Sequence, residues 1–164
     1  MKRISRRVLA IDLTSRGFGY VVLEENKVLV DWGVKRARKD KTLETQANVA
    51  ELIRYFHPSL LILEDGTAKD SRRCERIKQL LRSIRELAKA KRVKSRSISS
   101  ARVREMFGRF GAKTKHQIAC EIARQLPDLA PYMPRRRKPW MNEDYHMATF
   151  DAAALALADF HQRR

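Results

Sequence analysis

Apolar residues at the start of the chain fall into three short runs separated by polar turns. The runs span residues 7–14 (RVLAIDLT), 17–24 (GFGYVVLE) and 28–34 (VLVDWGV). Aliphatic and β-branched runs of this length are typical of buried strands. Glu25 and Asn26 supply a polar turn between the second run and the third. The pattern predicts a three-stranded meander.

After the meander, helical and extended patterns alternate. Thr42 can cap a helix that runs to about residue 56, with one apolar face made of Leu43, Ala47, Ala50, Ile53 and Phe56. Residues 59–65 (SLLILED) and 93–99 are predicted strands, and residues 70–90 form a strongly amphipathic helix between them.

The last third of the chain is predicted to be helical around one long loop. Helices are expected over residues 100–107, 114–125 and 147–160, and the proline-rich segment 127–139 is expected to be a loop. The last helix is apolar on almost every side, so it should be buried. Together these elements predict an α/β fold, in which a mixed sheet carries helices on both faces. The element order is that of the ribonuclease-H-like fold.

Composition bounds the class of protein. The chain has 164 residues, 43% of them hydrophobic, which suits one domain over residues 1–164. No apolar run approaches the roughly 18–20 residues of a membrane helix, and the basic N-terminal segment lacks the apolar stretch of a signal peptide. Cys74 and Cys120 have no metal-binding spacing and are interpreted as reduced thiols. We therefore expect a cytoplasmic protein without a membrane partner.

The charge points to a polyanionic partner. The 36 Lys and Arg residues outnumber the 19 Asp and Glu residues and give a net charge of +17, spread over several segments. A broad basic surface is what contact with a nucleic-acid backbone requires. Trp32 and Trp140 are isolated and are interpreted as core or loop packing, not as base-stacking positions. The residues predicted to contact nucleic acid are Arg72, Arg73, Arg76, Arg109, Lys113, Lys115, Arg135, Arg136 and Arg137.

Three carboxylates lie in apolar surroundings. Asp12 and Glu64 directly follow aliphatic runs, and Asp151 lies inside MATFDAAALALA. An unpaired carboxylate in such surroundings costs several kcal/mol, so acids there are normally paired or bound to a metal. Each acid also has an ordinary structural interpretation. Asp12 and Glu64 can form strand-end turns, and Asp151 can cap the last helix.

Taken together, the three acids suggest a metal site. The ends of neighbouring strands in an α/β sheet converge on one crevice, so acids distant in sequence can meet there. Oxygen ligands without a His or Cys spacing favour Mg²⁺ or Mn²⁺. Two such ions about 4 Å apart activate a water and stabilise the leaving oxygen of a phosphodiester. In a basic chain, this combination predicts a metal-dependent nuclease.

Four segments, in order, resemble the RuvC family of Holliday junction resolvases. They are AIDLTSRGFGYVVLE (10–24), LLILED (60–65), VREMFGRFGAKTKHQIACEIA (103–123) and FDAAALALA (150–158). The resemblance covers nearly the whole chain. It implies a metal-dependent endonuclease, usually a homodimer, that nicks two symmetric strands of a DNA four-way junction. It assigns metal binding and catalysis to Asp12, Glu64 and Asp151, and we expect Lys115 to contact a phosphate near the site.

The chain departs from the family pattern at two positions. The family has an acid or a histidine three residues before the last Asp, where this chain has Ala148. We expect Asp144 to act as the fourth catalytic residue, with Glu143 and His146 as alternatives; Asp144 can do so only if the helix begins after it. The family also has an aromatic residue where this chain has Thr67, so junction opening, sequence preference or the substrate itself can differ.

Three functions remain open from the sequence. The favoured one is an endonuclease that resolves branched DNA as a homodimer, with two Mg²⁺ or Mn²⁺ ions per active site. The second is an RNA-processing nuclease of the same superfamily, because a basic surface binds A-form and B-form backbones alike. The third is a nucleic-acid-binding module whose catalytic acids have decayed, which Ala148 favours.

Overall fold

One mixed sheet organises the chain. The computed structural model describes residues 5–25 and 27–163. Its strands are β1 (Arg7–Thr14), β2 (Gly17–Glu24), β3 (Leu29–Arg36), β4 (Leu60–Glu64) and β5 (Lys94–Ile98), in the order β3-β2-β1-β4-β5. The first three strands are antiparallel neighbours, and β4 and β5 run parallel to β1. The meander and the two further strands are therefore confirmed. Of the turn predicted at Glu25 and Asn26, Asn26 lies outside the described residues.

Helices cover both faces of the sheet, as predicted. They are α1 (Lys41–Phe56), α2 (Glu75–Ala90), α3 (Ser100–Gly108), α4 (Lys115–Gln125) and α5 (Met147–Gln162), with a 3₁₀ helix at Pro127–Tyr132 inside the predicted loop. Side chains that alternate along β1 point to two separate cores, because successive residues of a strand face opposite sides. Leu9 and Ile11 pack towards α1 and α2, while Val8 and Ala10 pack towards α3, α4 and α5. Within the part of the chain that the structure describes, none of the helices has the length and apolar content needed to cross a bilayer.

Two helices begin at different residues from those predicted. Helix α1 is capped by Asp40, whose carboxylate accepts a 3.0 Å hydrogen bond from the Leu43 backbone N–H, and not by Thr42. An Asp at this position satisfies one of the free N–H groups of the first turn. Leu43 is 63% exposed. The buried face of α1 consists of Thr45, Val49, Leu52, Ile53 and Phe56.

Helix α2 begins at Glu75 and not at residue 70, so residues 65–74 are an irregular connection after β4. Cys74 precedes the helix and is exposed, as is Cys120; both are free thiols. The later start has a functional consequence, because residues 65–74 pass over the carboxyl end of the sheet.

Gly19 has no side chain, and this allows α5 to lie close to the sheet. A Cβ atom at Gly19 would lie 2.1 Å from the carbonyl carbon of Ala148, which no folded protein tolerates without a shift. Gly19 pairs with Asp12 across the β1–β2 ladder. The first turn of α5 therefore lies directly beside Asp12, and Ala148 is buried in this contact. At the position where the RuvC pattern has an acid or a histidine, the backbone of this chain thus packs against β2.

Candidate active site

The three acids predicted from the sequence line one cleft. Asp12 of β1, Glu64 at the end of β4 and Asp151 of α5 contribute to a cavity of about 780 Å³. Asp12 is only 6% exposed, and the other two carboxylates are partly buried. The sheet produces this convergence because β1 and β4 are parallel neighbours whose carboxyl ends meet at one edge.

Two of the three acids do not have the ordinary structural roles considered for them. Helix α5 begins at Met147, so Asp151 lies in its second turn and does not cap it. The turn after β4 is made by Asp65, whose Oδ1 accepts hydrogen bonds from the backbone N–H and the hydroxyl of Thr67, at 2.9 and 2.7 Å. The Glu64 side chain is therefore not needed for the turn and lines the cleft.

Arg73 joins two of the three acids. Its Nε donates to Glu64 Oε2 at 2.5 Å, and its Nη2 donates to Asp12 Oδ1 at 3.0 Å. Arg73 thus makes one charge-assisted hydrogen bond to each of two carboxylates and bridges them. Arg73 was predicted to contact nucleic acid, but in this structure it faces inward. Its sequence position, nine residues after Glu64 in an irregular segment, carries no pattern from which this contact could have been predicted.

A second anchor holds residues 65–74 over the cleft. Asp70 Oδ2 accepts hydrogen bonds from Ser100 Oγ at 3.1 Å and from Arg104 Nη2 at 3.0 Å, both from α3. The pairing with Arg104 and Ser100 lowers the pKa of Asp70. The segment is therefore attached to α3 at one point and to the acidic cleft at another, through Arg73.

Lys115 is the cation nearest the third acid. Its Nζ lies 3.4 Å from Asp151 Oδ2 and 3.0 Å from Glu143 Oε1. Lys115 is the first residue of α4, and Gln117 fixes that end of the helix because its side-chain oxygen accepts hydrogen bonds from the Lys113 and Thr114 backbone N–H groups. Gln117 thus positions the turn that presents Lys115.

Burial makes this cleft unfavourable for negative charge. Burial, followed by the neighbouring Asp151 charge, raises the pKa of Asp12 well above its usual range, and Arg73 only partly opposes this. Burial raises the pKa of Asp151 to about 6, with Lys115 acting in the opposite direction. Burial opposes the charged form of Lys115 as well, but the attraction of Asp151 and Glu143 prevails and raises its pKa. The cleft therefore favours added positive charge.

The candidates for a fourth catalytic residue are separated by the structure. Asp144 lies before the start of α5, as its predicted role requires, but its Oδ1 pairs locally with His146 through the backbone N–H and the ring Nδ1. Asp144 and Glu143 both line a neighbouring cleft with Thr14 and Arg36, and neither lines the cleft of the three acids. Glu143 is linked to Asp151 through Lys115. Of the three candidates, Glu143 is thus the one connected to the acid cluster.

The predicted nucleic-acid contacts occupy four places. Arg72, Arg73, Lys113 and Lys115 line the acidic cleft, and Arg109 borders a separate cleft against α5. Arg76 is exposed in the first turn of α2. Arg135, Arg136 and Arg137 are exposed on the loop before α5, which also contains Glu143.

The donor set fits a hard divalent ion, although the present arrangement does not enclose one. Among residues 5–25 and 27–163, no three acid, histidine or cysteine side chains are placed around a common ion position. Arg73 lies between Asp12 and Glu64 and supplies positive charge there. Three carboxylates that line one cleft are nevertheless the type of ligand that Mg²⁺ and Mn²⁺ prefer.

Solved structures resemble this architecture over almost the full chain. RuvC of Thermus thermophilus aligns with a TM-score of 0.67 at 18% identity, covering 96% of this chain and 95% of that chain. The chain has the RuvC fold. Another structure of the same RuvC, in complex with a Holliday junction substrate, aligns with a TM-score of 0.66 at 19% identity, with the same coverage.

Two further solved structures share this fold. The yeast mitochondrial Holliday junction resolvase aligns with a TM-score of 0.63 at 16% identity, covering 95% of this chain and 78% of that chain. The fowlpox virus resolvase aligns with a TM-score of 0.53 at 12% identity, covering 95% and 99%. No protein-family model and no curated protein sequence matches the chain. The predicted α/β, ribonuclease-H-like fold is confirmed. At these identities the solved structures establish the fold alone, so any inference about chemistry has to rest on the residues of this chain.

Proposed function

We propose that this protein is a metal-dependent endonuclease that resolves branched DNA by paired nicks. The observation that carries the proposal is the convergence of Asp12, Glu64 and Asp151 in one basic-rimmed cleft of a RuvC fold. Burial and the neighbouring Asp151 charge raise the pKa of Asp12, and burial raises the pKa of Asp151 to about 6. Raised carboxyl pKa values inside a cleft are typical of functional sites, which favours a catalytic role over binding alone.

Asp12, Glu64 and Asp151 are the proposed ligands of two Mg²⁺ or Mn²⁺ ions. The chemistry that such ions supply is activation of a water for in-line attack and stabilisation of the departing 3′ oxygen. Asp12 contributes a carboxylate held rigidly in the β1–β2 ladder. Arg73 has to leave Asp12 and Glu64 for these oxygens to become ligands, so ion binding and movement of Arg73 are coupled.

Lys115 and the rim cations hold the substrate. The Lys115 side chain is 53% exposed and lies between Asp151 and Glu143, so its ammonium can turn from these carboxylates to a phosphate that enters the cleft. Arg72 and Lys113 line the same cavity and extend the positive surface beyond it. Glu143 orients Lys115 in the free protein. Asp144 remains a predicted fourth catalytic residue, with Glu143 the alternative that the geometry favours.

Two copies are required for symmetric cutting. A four-way junction presents two equivalent scissile phosphates, and a two-fold symmetric dimer carries two equivalent sites. We therefore propose a homodimer as the acting species. The test of this part is the mass of the protein–junction complex, which should correspond to two chains per junction.

Cleavage of matched substrates tests the proposal. A labelled four-way DNA junction, a linear DNA duplex and an RNA duplex are incubated with Mg²⁺ or Mn²⁺ and the wild type, Asp12→Asn or Asp128→Asn. Asp128 is an exposed acid on the 3₁₀ helix and serves as the matched control. We expect cleavage of the junction alone, lost in Asp12→Asn and kept in Asp128→Asn. Preferential RNA cleavage would support the RNA-processing alternative, and junction binding without cutting under either metal would support the silent module.

A further inference from the structure

The sequence predicts that Trp140 packs in the core or in a loop, but the structure leaves its side chain exposed. Its side chain is 78% exposed, the largest exposed fraction among the large hydrophobic residues that the structure describes. Trp32, in contrast, is half-buried and packs edge-on against Tyr132 with ring centroids 5.8 Å apart. Single exposed apolar residues are common on protein surfaces, so the significance of this indole depends on the residues around it.

The loop around Trp140 is basic and locally ordered. Arg135, Arg136, Arg137 and Lys138 directly precede the Pro139–Trp140 pair, and all four are exposed. The Met141 backbone N–H donates to the Lys138 carbonyl at 2.9 Å, which closes a tight turn that presents Trp140 at its tip. Lys138 Nζ lies 5.4 Å from the indole centroid. An aromatic ring beside a run of cations is the combination that binds nucleic-acid bases and their phosphates together.

The same loop leads directly into the candidate active site. Glu143 follows Trp140 by three residues and pairs with Lys115, which in turn contacts Asp151. Three residues of extended chain span at most about 10 Å, so the Trp140 backbone lies within that distance of Glu143. Trp140 is therefore close enough to the candidate active site for one bound DNA to contact both.

We propose that Trp140 stacks on a base of branched DNA at the point where regular base stacking is interrupted. This inference rests on the proposed function. Bases inside a linear duplex are covered on both faces, whereas a branch point has bases with an open face. The exposed indole supplies the stacking surface, and the four adjacent cations bring the DNA backbone to it. Trp140 is accordingly a specificity residue that favours branched over linear DNA.

Binding measurements on Trp140→Ala and Trp140→Phe test the proposal. With Ca²⁺ in place of Mg²⁺, junction affinity should fall roughly 5- to 100-fold in Trp140→Ala, the range expected for loss of one base–aromatic stack, and Trp140→Phe should keep most of it. Linear-duplex affinity should change little. Tyr55→Ala is the matched control, because Tyr55 is a 74% exposed aromatic residue on α1 that does not line the cleft.

Salt dependence and fluorescence separate stacking from other roles. Trp140→Ala should leave the slope of log Kd against log salt unchanged, whereas Arg136→Gln should reduce it by about one. The chain has two tryptophans, so junction-induced quenching that is present in the wild type and absent in Trp140→Phe reports on Trp140 itself.

The outcomes also distinguish this proposal from the proposed function. Equal junction affinity of Trp140→Ala and wild type, or an equal loss on linear duplex, would overturn the stacking role even if the junction is cut normally. A Trp140 emission that changes with protein concentration in the absence of DNA would instead identify it as a contact between two copies of this chain. Stacking without any cleavage would leave this inference supported and overturn the nuclease.

Discussion

Replacing Arg73 with methionine tests the electrostatics of the cleft. The variant keeps an aliphatic side chain but removes the guanidinium that joins Asp12 and Glu64. Removal of one partner from a fully buried ion pair costs 3–5 kcal/mol. Since the Arg73 side chain is 28% exposed, we expect a smaller loss of about 2–3 kcal/mol. For a chain of this size, that loss lowers the melting temperature by roughly 5–10 °C.

The expected loss depends on the metal. In EDTA, Arg73→Met has no cation between the carboxylates of Asp12 and Glu64, so the full decrease in melting temperature should appear. With excess Mg²⁺ or Mn²⁺ the decrease should largely disappear, because the ions take over the neutralising role. Mn²⁺ should also bind Arg73→Met about 10- to 100-fold more tightly than it binds the wild type, as about 2 kcal/mol of competition is removed.

Thermal unfolding with and without EDTA, together with Mn²⁺ titration by calorimetry, measures both effects. Arg104→Met is the matched control. Arg104 pairs with Asp70 at the rim of the same cleft, but its side chain is 59% exposed, so its removal should lower the melting temperature much less than the removal of Arg73 does, irrespective of metal. An Arg73→Met variant that is destabilised equally in EDTA and in Mg²⁺, or that binds Mn²⁺ no more tightly, would refute the idea that Arg73 occupies the metal position.

Three other predictions follow from the structure. Gly19→Ala places a methyl group against the Ala148 backbone, so we expect α5 to shift. Junction cleavage should then fall more than tenfold, and the melting temperature should drop. A fully active Gly19→Ala protein would contradict the packing of α5 beside Asp12. The raised pKa of Asp151, about 6 against an ordinary value of 3.8, means that the metal-free folded state binds more protons than the unfolded state between these values. Its unfolding free energy should therefore fall as the pH rises from about 4 to 7, and Asp151→Asn should flatten this dependence in EDTA, as measured by urea unfolding at each pH. Finally, if Glu143 is the fourth catalytic residue, Glu143→Gln should lower the single-turnover cleavage rate more than Asp144→Asn does. The reverse order of the two rates would identify Asp144 as that residue.

Sequence patterns were sufficient for the sheet and for the three main acids. The strands were predictable because their aliphatic runs are short, continuous and bounded by polar turns. Asp12, Glu64 and Asp151 were recognisable because each interrupts an apolar run, and a carboxylate in such a position needs a compensating partner. The fold then follows from the element order, since parallel strands after a meander require crossing helices on the sheet faces.

The features that the sequence does not predict depend on contacts between residues distant in sequence or on irregular backbone. Arg73 belongs to a basic run, and nothing local indicates that residues 65–74 turn it towards Asp12. Its contact with nucleic acid stays a prediction. The close approach of the Ala148 backbone to Gly19 joins two elements that are distant in sequence, and no local pattern predicts it. Trp140 was interpreted as packing, because sequence alone does not tell whether a loop tryptophan has a neighbour to cover it.

The nick positions on a labelled four-way junction test the central claim most directly. Each of the four strands is labelled in turn, and products are mapped to the nucleotide after reaction with Mg²⁺ for the wild type and for Asp12→Asn. The account predicts nicks at symmetric positions on two opposing strands, lost in Asp12→Asn while junction binding is retained. Cuts scattered over all strands, or nicks that persist without the Asp12 carboxylate, would contradict it.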